Sequence, residues 1–170
     1  GYDMYLQLLS EAIAEEKGEA PPRTPEECLV DVQIEAHIPE NYIENLSQRL
    51  DVYRKIAGIS TKEESMELVD ELIDRYGEPP KAIIGLINVA LLRNTASSLG
   101  ISEISQKGEN LLFYIKNPSI EQISRLSAAF KGRVLFNNLN KPYISVKLAP
   151  KEKAVDLMQA VLDVMTDGKK

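Results

Sequence analysis

The stretch Ile83-Ile84-Gly85-Leu86-Ile87-Asn88-Val89-Ala90-Leu91-Leu92 constrains the chain most. Wound as a helix it is apolar on nearly every side, and a helix without a polar face has to be wrapped by neighbours. It is too short to cross a bilayer, which takes roughly 20 apolar residues. The helix expected over residues 81–99 is therefore the centre of a core. Gly77-Glu78-Pro79-Pro80 precedes it. The glycine suits a left-handed C-cap, and the prolines prevent fusion with the helix before.

That earlier helix, Thr61 to Tyr76, has two faces. Met66, Val69, Leu72, Ile73 and Tyr76 fall on an apolar stripe at helical spacing. Glu63, Glu67, Asp70, Glu71 and Asp74 fall on another that points to solvent. Like charges three or four residues apart cost about 0.2–0.5 kcal/mol per pair. Asp70, Glu71 and Asp74 also lie toward the helix C-terminus, where the macrodipole disfavours anions. Glu64 needs no such account, because Thr61 and Glu64 have capping-box spacing. The late carboxylates are either an ordinary solvated face or have one of two partners. They pair with the basic helix upstream, which carries Arg49, Arg54 and Lys55, or they form a docking surface for an Arg- or Lys-bearing partner.

The remaining segments complete an α+β pattern. Asp3 to Lys17 reads as an amphipathic helix, and Gly18 to Pro25, with three prolines, as a stiff linker. Residues 1–25 are accordingly expected to be the tail of an upstream region, and 26–170 the domain proper. Leu29 to Ile38 alternates strictly and predicts a half-buried strand. Asn41 to Ala57 predicts a helix with Tyr42, Leu46, Leu50, Tyr53 and Ile56 along its inner side. From Ile101 the period shortens: a hairpin turning at Lys107-Gly108-Glu109-Asn110 leads to a helix opened by a Ser119/Gln122 capping box, with Ile120, Ile123, Leu126 and Phe130 inward. Two short strands follow, Arg133 to Phe136 and Tyr143 to Leu148. Pro150 is placed at the first turn of a last helix lined by Val155, Met158, Leu162 and Met165. The expected fold is a helical half with one early strand, then a β-β-α-β-β-α half forming a small, mostly antiparallel sheet.

Charge divides along the same line. Residues 1–100 hold 19 acids and 9 Lys or Arg, net −10; residues 101–170 hold 7 acids and 11 Lys or Arg, net +4. The overall −6 argues against wholesale binding to nucleic acid or an acidic membrane. The single cysteine, Cys28, excludes an internal disulfide and fits a cytoplasmic setting. The single histidine, His37, has no companion at ligand or catalytic spacing and is expected on the polar face of its strand. There is no Gly-rich phosphate loop and no Cys or His cluster. One helix face does not bring carboxylates together from several elements, as a cation cage requires. The expectation is a non-catalytic chain with no cofactor and no metal. The basic half raises an alternative, a nucleic-acid- or RNA polymerase-contacting module. A stacking platform needs exposed aromatics, however, and Phe113 and Tyr114 point to opposite faces while Tyr143 is expected to stand apart.

Four runs carry a family resemblance: Ile38-Pro39-Glu40-Asn41-Tyr42-Ile43, Gln48-Arg49-Leu50-Asp51-Val52-Tyr53-Arg54-Lys55-Ile56-Ala57, Glu71-Leu72-Ile73-Asp74-Arg75-Tyr76-Gly77-Glu78-Pro79-Pro80 and Leu91-Leu92-Arg93. The chain resembles the C-terminal domain of bacterial transcription-repair coupling factors, DNA translocases that remove stalled RNA polymerase and recruit nucleotide excision repair. Gly1-Tyr2-Asp3-Met4-Tyr5-Leu6-Gln7-Leu8-Leu9 looks like the end of that family's motor region. The family's ATPase and DNA-tracking motifs lie upstream and are absent from this chain. What the resemblance implies is regulation: the domain packs on the family's UvrB-like N-terminal module and covers the surface that binds UvrA. RNA polymerase and DNA are then partners of the full-length protein only. The family contact sets carboxylates of a Glu-Leu-Ile-Asp motif against arginines, and it falls here on Glu71 and Asp74. Glu67, Asp70 and Arg75 extend the same surface.

Overall fold

A computed structural model of the chain describes residues 28–34 and 36–167. The expected helix and linker over residues 1–25 lie outside the described residues. The described chain divides into two compact units, one of residues 34–91 and one of residues 28–33 with 92–167.

The first unit is helical. α1 (Leu46–Ala57) starts five residues later than the sequence pattern suggests. The reason is local: the Asn45 side chain accepts the Gln48 N–H at 3.0 Å and caps the helix there. Tyr42 and Ile43 instead donate their N–H groups to the Pro39 carbonyl. Leu46, expected inside, is consequently on the outside of the first turn. α2 (Lys62–Tyr76) is capped by Thr61, whose hydroxyl accepts the Glu64 N–H. The capping box there is displaced by one residue, because the Glu64 carboxylate accepts from the Ser60 N–H, not from Thr61. Gly77 ends α2 at φ +88, a conformation that L side chains rarely adopt. Ile38, Ile43, Val52, Tyr53, Ile56, Leu68 and Leu72 form the core with Ile83, Leu86, Ile87 and Ala90. The last four belong to α3 (Lys81–Ser98), the apolar helix. Val89, Leu92 and Ala96 on its other sides are buried as well, as a helix without a polar face requires.

The second unit is a five-stranded sheet. β1 (Leu29–Asp31) runs parallel to β2 (Ile101–Lys107), with Val30 opposite Ile104. β2 turns at Gly108 (φ +62) into antiparallel β3 (Asn110–Ile115). α4 (Ile120–Ala129) follows, and the reciprocal Ser119/Gln122 bonds of its capping box are both present. β4 (Val134–Asn137), β5 (Tyr143–Lys147) and α5 (Ala154–Asp167) complete the chain in the order β1-β2-β3-β5-β4. The α+β architecture expected from the sequence is thus the observed one, with the early strand joined to the later sheet.

The sheet unit differs from expectation in three places. β1 is three residues long, although the apolar alternation runs on to Ile38. Its ladder with β2 stops at the Asp31–Ser105 pair although β2 runs on to Lys107, and the Gln33 N–H is taken by the Gln106 side chain in place of a backbone carbonyl. The alternation still buries Val32, then Ile38 in the helical unit's core. Ile120 is 84% exposed, since the first turn of α4 projects past the packing that holds Leu126 and Phe130. Pro150 precedes the last helix by four residues; α5 begins at Ala154, after a turn in which Lys151 takes φ +64.

Candidate functional site

The carboxylates singled out by position lie on α2, and packing against α1 decides which of them are free. Ser65, Leu68 and Leu72 are the buried residues of α2, with Val69 and Tyr76 partly buried beside them. The packing stripe is therefore rotated from the one expected. Met66 (59% exposed) and Ile73 (40% exposed) lie outside it. The signal that identifies the true stripe is Leu68, one turn before Leu72; with Ser65 and Leu68 in place of Met66 and Ile73 the centre of the face moves by about 40°.

That rotation turns Glu71 toward α1. Lys55 donates to the Glu71 carboxylate at 2.7 Å and also reaches Asp51, one turn back on its own helix, at 3.5 Å. Arg75 lies 3.7 Å from the same Glu71 oxygen and stacks over the Tyr76 ring at 5.1 Å. The hydrogen bond that Lys55 donates to Glu71 is the main influence raising its ammonium above the ordinary value; the charges of Glu71 and Asp51 act the same way, and partial burial opposes them. Glu71 and Arg75 thus sit in a local network, the pairing with the basic helix that the sequence left open. Across the joint, the Tyr42 hydroxyl donates to the Gly77 carbonyl at 2.6 Å, and the Tyr42 and Tyr76 rings lie 5.8 Å apart. Burial first, then the Glu78 charge and Tyr76, raise the Tyr42 phenol above its usual range.

Glu67, Asp70 and Asp74 are different. All three are exposed, and among the described residues no salt bridge reaches them. Met66, Asp70 and Ile73 succeed one another at steps of four and three residues, so the two exposed apolar side chains flank an unpaired carboxylate on one line of helix surface. The face combines apolar contact area with uncompensated negative charge.

Elsewhere the described residues offer little chemistry. No group of three or more His, Cys, Asp or Glu is placed to hold a metal ion. No described helix is long and apolar enough to cross a membrane. His37 is exposed and Cys28 buried. In the sheet, Tyr143 does not stand apart: it lies directly opposite Tyr114, with ring centroids 5.4 Å apart. β3 pairs with β5 across the intervening α4 and β4, and strand order is not a property of either strand's own pattern.

Comparison with known proteins adds a framework for these residues. The sequence pattern of the TRCF domain matches residues 32–126, more than half of the chain. The chain belongs to the TRCF domain family. The transcription-repair-coupling factor of Bacillus subtilis (strain 168) is 36% identical to this TRCF domain over 136 residues, which are 80% of the chain and 11% of that protein. That of Staphylococcus haemolyticus (strain JCSC1435) is 29% identical over 154 residues, 89% of the chain and 12% of the protein. The chain therefore spans about a tenth of the length of these relatives. A crystal structure of the C-terminal domain of transcription-repair coupling factor superposes with a TM-score of 0.72 at 17% identity, covering 83% of this chain and 92% of that one. The TRCF domain fold is thus shared, and the acidic α2 lies inside the matched region.

Proposed function

We propose that this TRCF domain is the non-catalytic regulatory domain of a cytoplasmic transcription-repair coupling factor. Through the exposed face of α2 it docks on the UvrB-like N-terminal module of the same protein and so masks the surface that binds UvrA. RNA polymerase, DNA and ATP are engaged by the rest of the full-length protein. The observation that carries this reading is the state of Glu67, Asp70 and Asp74: all are exposed and without ion pairs among the described residues, and Asp70 and Asp74 lie in the half of the helix where the macrodipole disfavours them. Carboxylates left so are available to arginines of a partner, which engage them bidentately. Glu71 takes part from the edge of the face, shared with Lys55 and Arg75. Met66 and Ile73 supply apolar contact of the kind found at the centre of an interface.

The alternative, a nucleic-acid-contacting module built on the basic half, is disfavoured by its aromatics. Tyr114 is buried, and the Lys141 ammonium sits 4.3 Å from its ring centroid, leaving that face closed to a base.

The test uses the full-length protein carrying Asp70→Arg with Asp74→Arg. Like charges then face each other across the contact, and UvrA binding is expected to rise by about tenfold or more, since such juxtapositions cost several kcal/mol. An unchanged dissociation constant for UvrA, with the domain still folded, refutes the masking role.

A further inference from the structure

The sheet ends in an open edge at β4, which is paired on one side only, with β5. The Lys147 N–H donates to the Arg133 carbonyl at 2.9 Å, and this sets the phase of the ladder. Arg133, Leu135 and Asn137 turn their peptide groups toward β5, and Val134 and Phe136 turn theirs outward. Natural edge strands are blunted by a charge, a proline or a bulge. Val134-Leu135-Phe136-Asn137 contains neither a charge nor a proline, and its register with β5 runs without a shift. Leu135 is 72% exposed, and Leu139, two residues past the strand, is 73% exposed. With Lys107, Leu112, Asn137 and Tyr143 they line an open groove of about 600 Å³. Charge gives the occupant a sign. Residues 122–151 contain six Lys or Arg and no Asp or Glu. Arg125, Arg133, Lys141 and Lys147 are paired with carboxylates from outside that stretch. Lys131 beside the strand and Lys107 in the groove have no ion pair among the described residues.

We propose that β4 is an interaction edge that takes up an extended segment of a partner protein as a sixth strand. The segment has apolar side chains at alternate positions, which enter the Leu135–Leu139 groove, and carboxylates between them, whose net negative charge is drawn to the acid-free stretch around β4. Outward N–H and C=O groups at Val134 and Phe136 supply the ladder, and the groove supplies the choice of side chain. A second copy of the chain is a poorer occupant, because two β4 edges would bring two acid-free stretches together. A single nucleic-acid strand is poorer too, because it needs open ring faces and Tyr114 is covered by Lys141. No residue of the helical unit takes part, so this proposal stands or falls apart from the α2 reading.

The chain is titrated at about 50 mM salt, where surface charge is weakly screened. The probes are a fluorescein-labelled Asp-Val-Asp-Val-Asp-Val-Asp peptide, its counterpart with Lys in place of Asp, and an oligothymidylate. The acidic peptide is expected to bind about tenfold or more tighter than either other probe, with amide NMR shifts concentrated on residues 133–137. Phe136→Pro removes one outward N–H that β5 does not use, and Leu135→Asp puts a charge in the groove at an exposed site that folding does not need. Each is expected to weaken the acidic peptide about tenfold, Leu135→Asp without changing the melting temperature. Absence of acidic-peptide binding, binding that survives Leu135→Asp, preference for the basic peptide or the oligothymidylate, or dimerisation abolished by Leu135→Asp would each overturn the proposal.

Discussion

Reversing the charge at two neighbouring carboxylates of α2 should move stability in opposite directions. In Glu71→Arg the new guanidinium faces Lys55 and Arg75 in place of the ion pairs at 2.7 and 3.7 Å. Lys55 and Glu71 are each more than a third exposed (38% and 39%), so solvent screens the lost pair to about 0.2–1 kcal/mol. The new repulsion with Arg75 adds a few tenths, about 0.2–0.5 kcal/mol. The residue is five positions before the helix end, beyond the last turn in which a cation gains from the macrodipole. Against this, Glu67 four residues back and Asp74 three residues on change from like to opposite charges, a gain of about 0.4–1 kcal/mol, so the sum is a small loss of about 0.3 kcal/mol. Asp74→Arg breaks no salt bridge among the described residues. It replaces repulsion from Asp70, one turn back, by attraction, and it puts a cation in the last turn, together a gain of about 0.5–1 kcal/mol. Urea denaturation of the chain at pH 7 and low salt checks the contrast of about 1 kcal/mol, which is about 2–4 °C in melting temperature for a chain of this size. In about 1 M NaCl, where the Debye length falls to about 3 Å, the contrast should shrink by more than half. Two shifts of the same sign, or a contrast that salt leaves intact, would refute the assignment of Glu71 to an internal network and Asp74 to open surface.

Other perturbations test the frame around that face. Ile87→Asp buries an unpaired carboxylate at a position 3% exposed and should cost about 3–5 kcal/mol in a thermal melt followed by circular dichroism; a melt within a degree or two of the parent would remove α3 from the core. Ser119→Ala deletes the hydroxyl that accepts the Gln122 N–H and should cost about 1 kcal/mol, read as a lower urea midpoint with unchanged slope. Lys55 and Tyr42 both hold their protons more tightly folded than unfolded. Their contribution is therefore complete below the ordinary values of 10.5 and 10.0 and is lost as pH rises past them. Stability should fall on the alkaline side of pH 10, and Lys55→Met should flatten that fall.

The parts of the fold legible in the sequence are those whose signal is local. The Ser119 and Gln122 side chains bond to backbone within one helical turn, so their motif predicts the structure completely. Gly77 and Gly100 stand where the chain requires positive φ, and both have it. α3 is buried on most sides because no rotation about its axis would present a polar face. What escapes prediction depends on a partner far along the chain. The alternation from Leu29 to Ile38 is real, yet only three residues are strand, because beyond Asp31 the Gln33 N–H bonds to the distant Gln106 side chain and not to the backbone of β2. Tyr114 and Tyr143 meet because β5 inserts between β3 and β4, which neither strand's composition encodes.

The candidate site divides by the same principle. That α2 bears too many acids near its C-terminus follows from spacing and the dipole, and both belong to the helix alone. Which acids are free does not follow, because it depends on the angle at which α2 rests on α1. With Met66 and Ile73 inside, the apolar stripe would centre elsewhere; with Leu68 and Leu72 inside, Glu71 faces Lys55, while Asp70 and Asp74 face outward with Met66 and Ile73 beside them. A rotation of about 40° thus exchanges a purely acidic surface for a mixed one. The partner that fits a mixed surface is narrower than any polycation: it must present apolar side chains between its arginines. A polybasic stretch without them would gain only screened Coulomb attraction from exposed carboxylates, about 0.2–1 kcal/mol per pair. The exposed Met66 and Ile73 therefore give this face selectivity for a folded protein surface over nucleic-acid-binding tails and other diffuse positive charge.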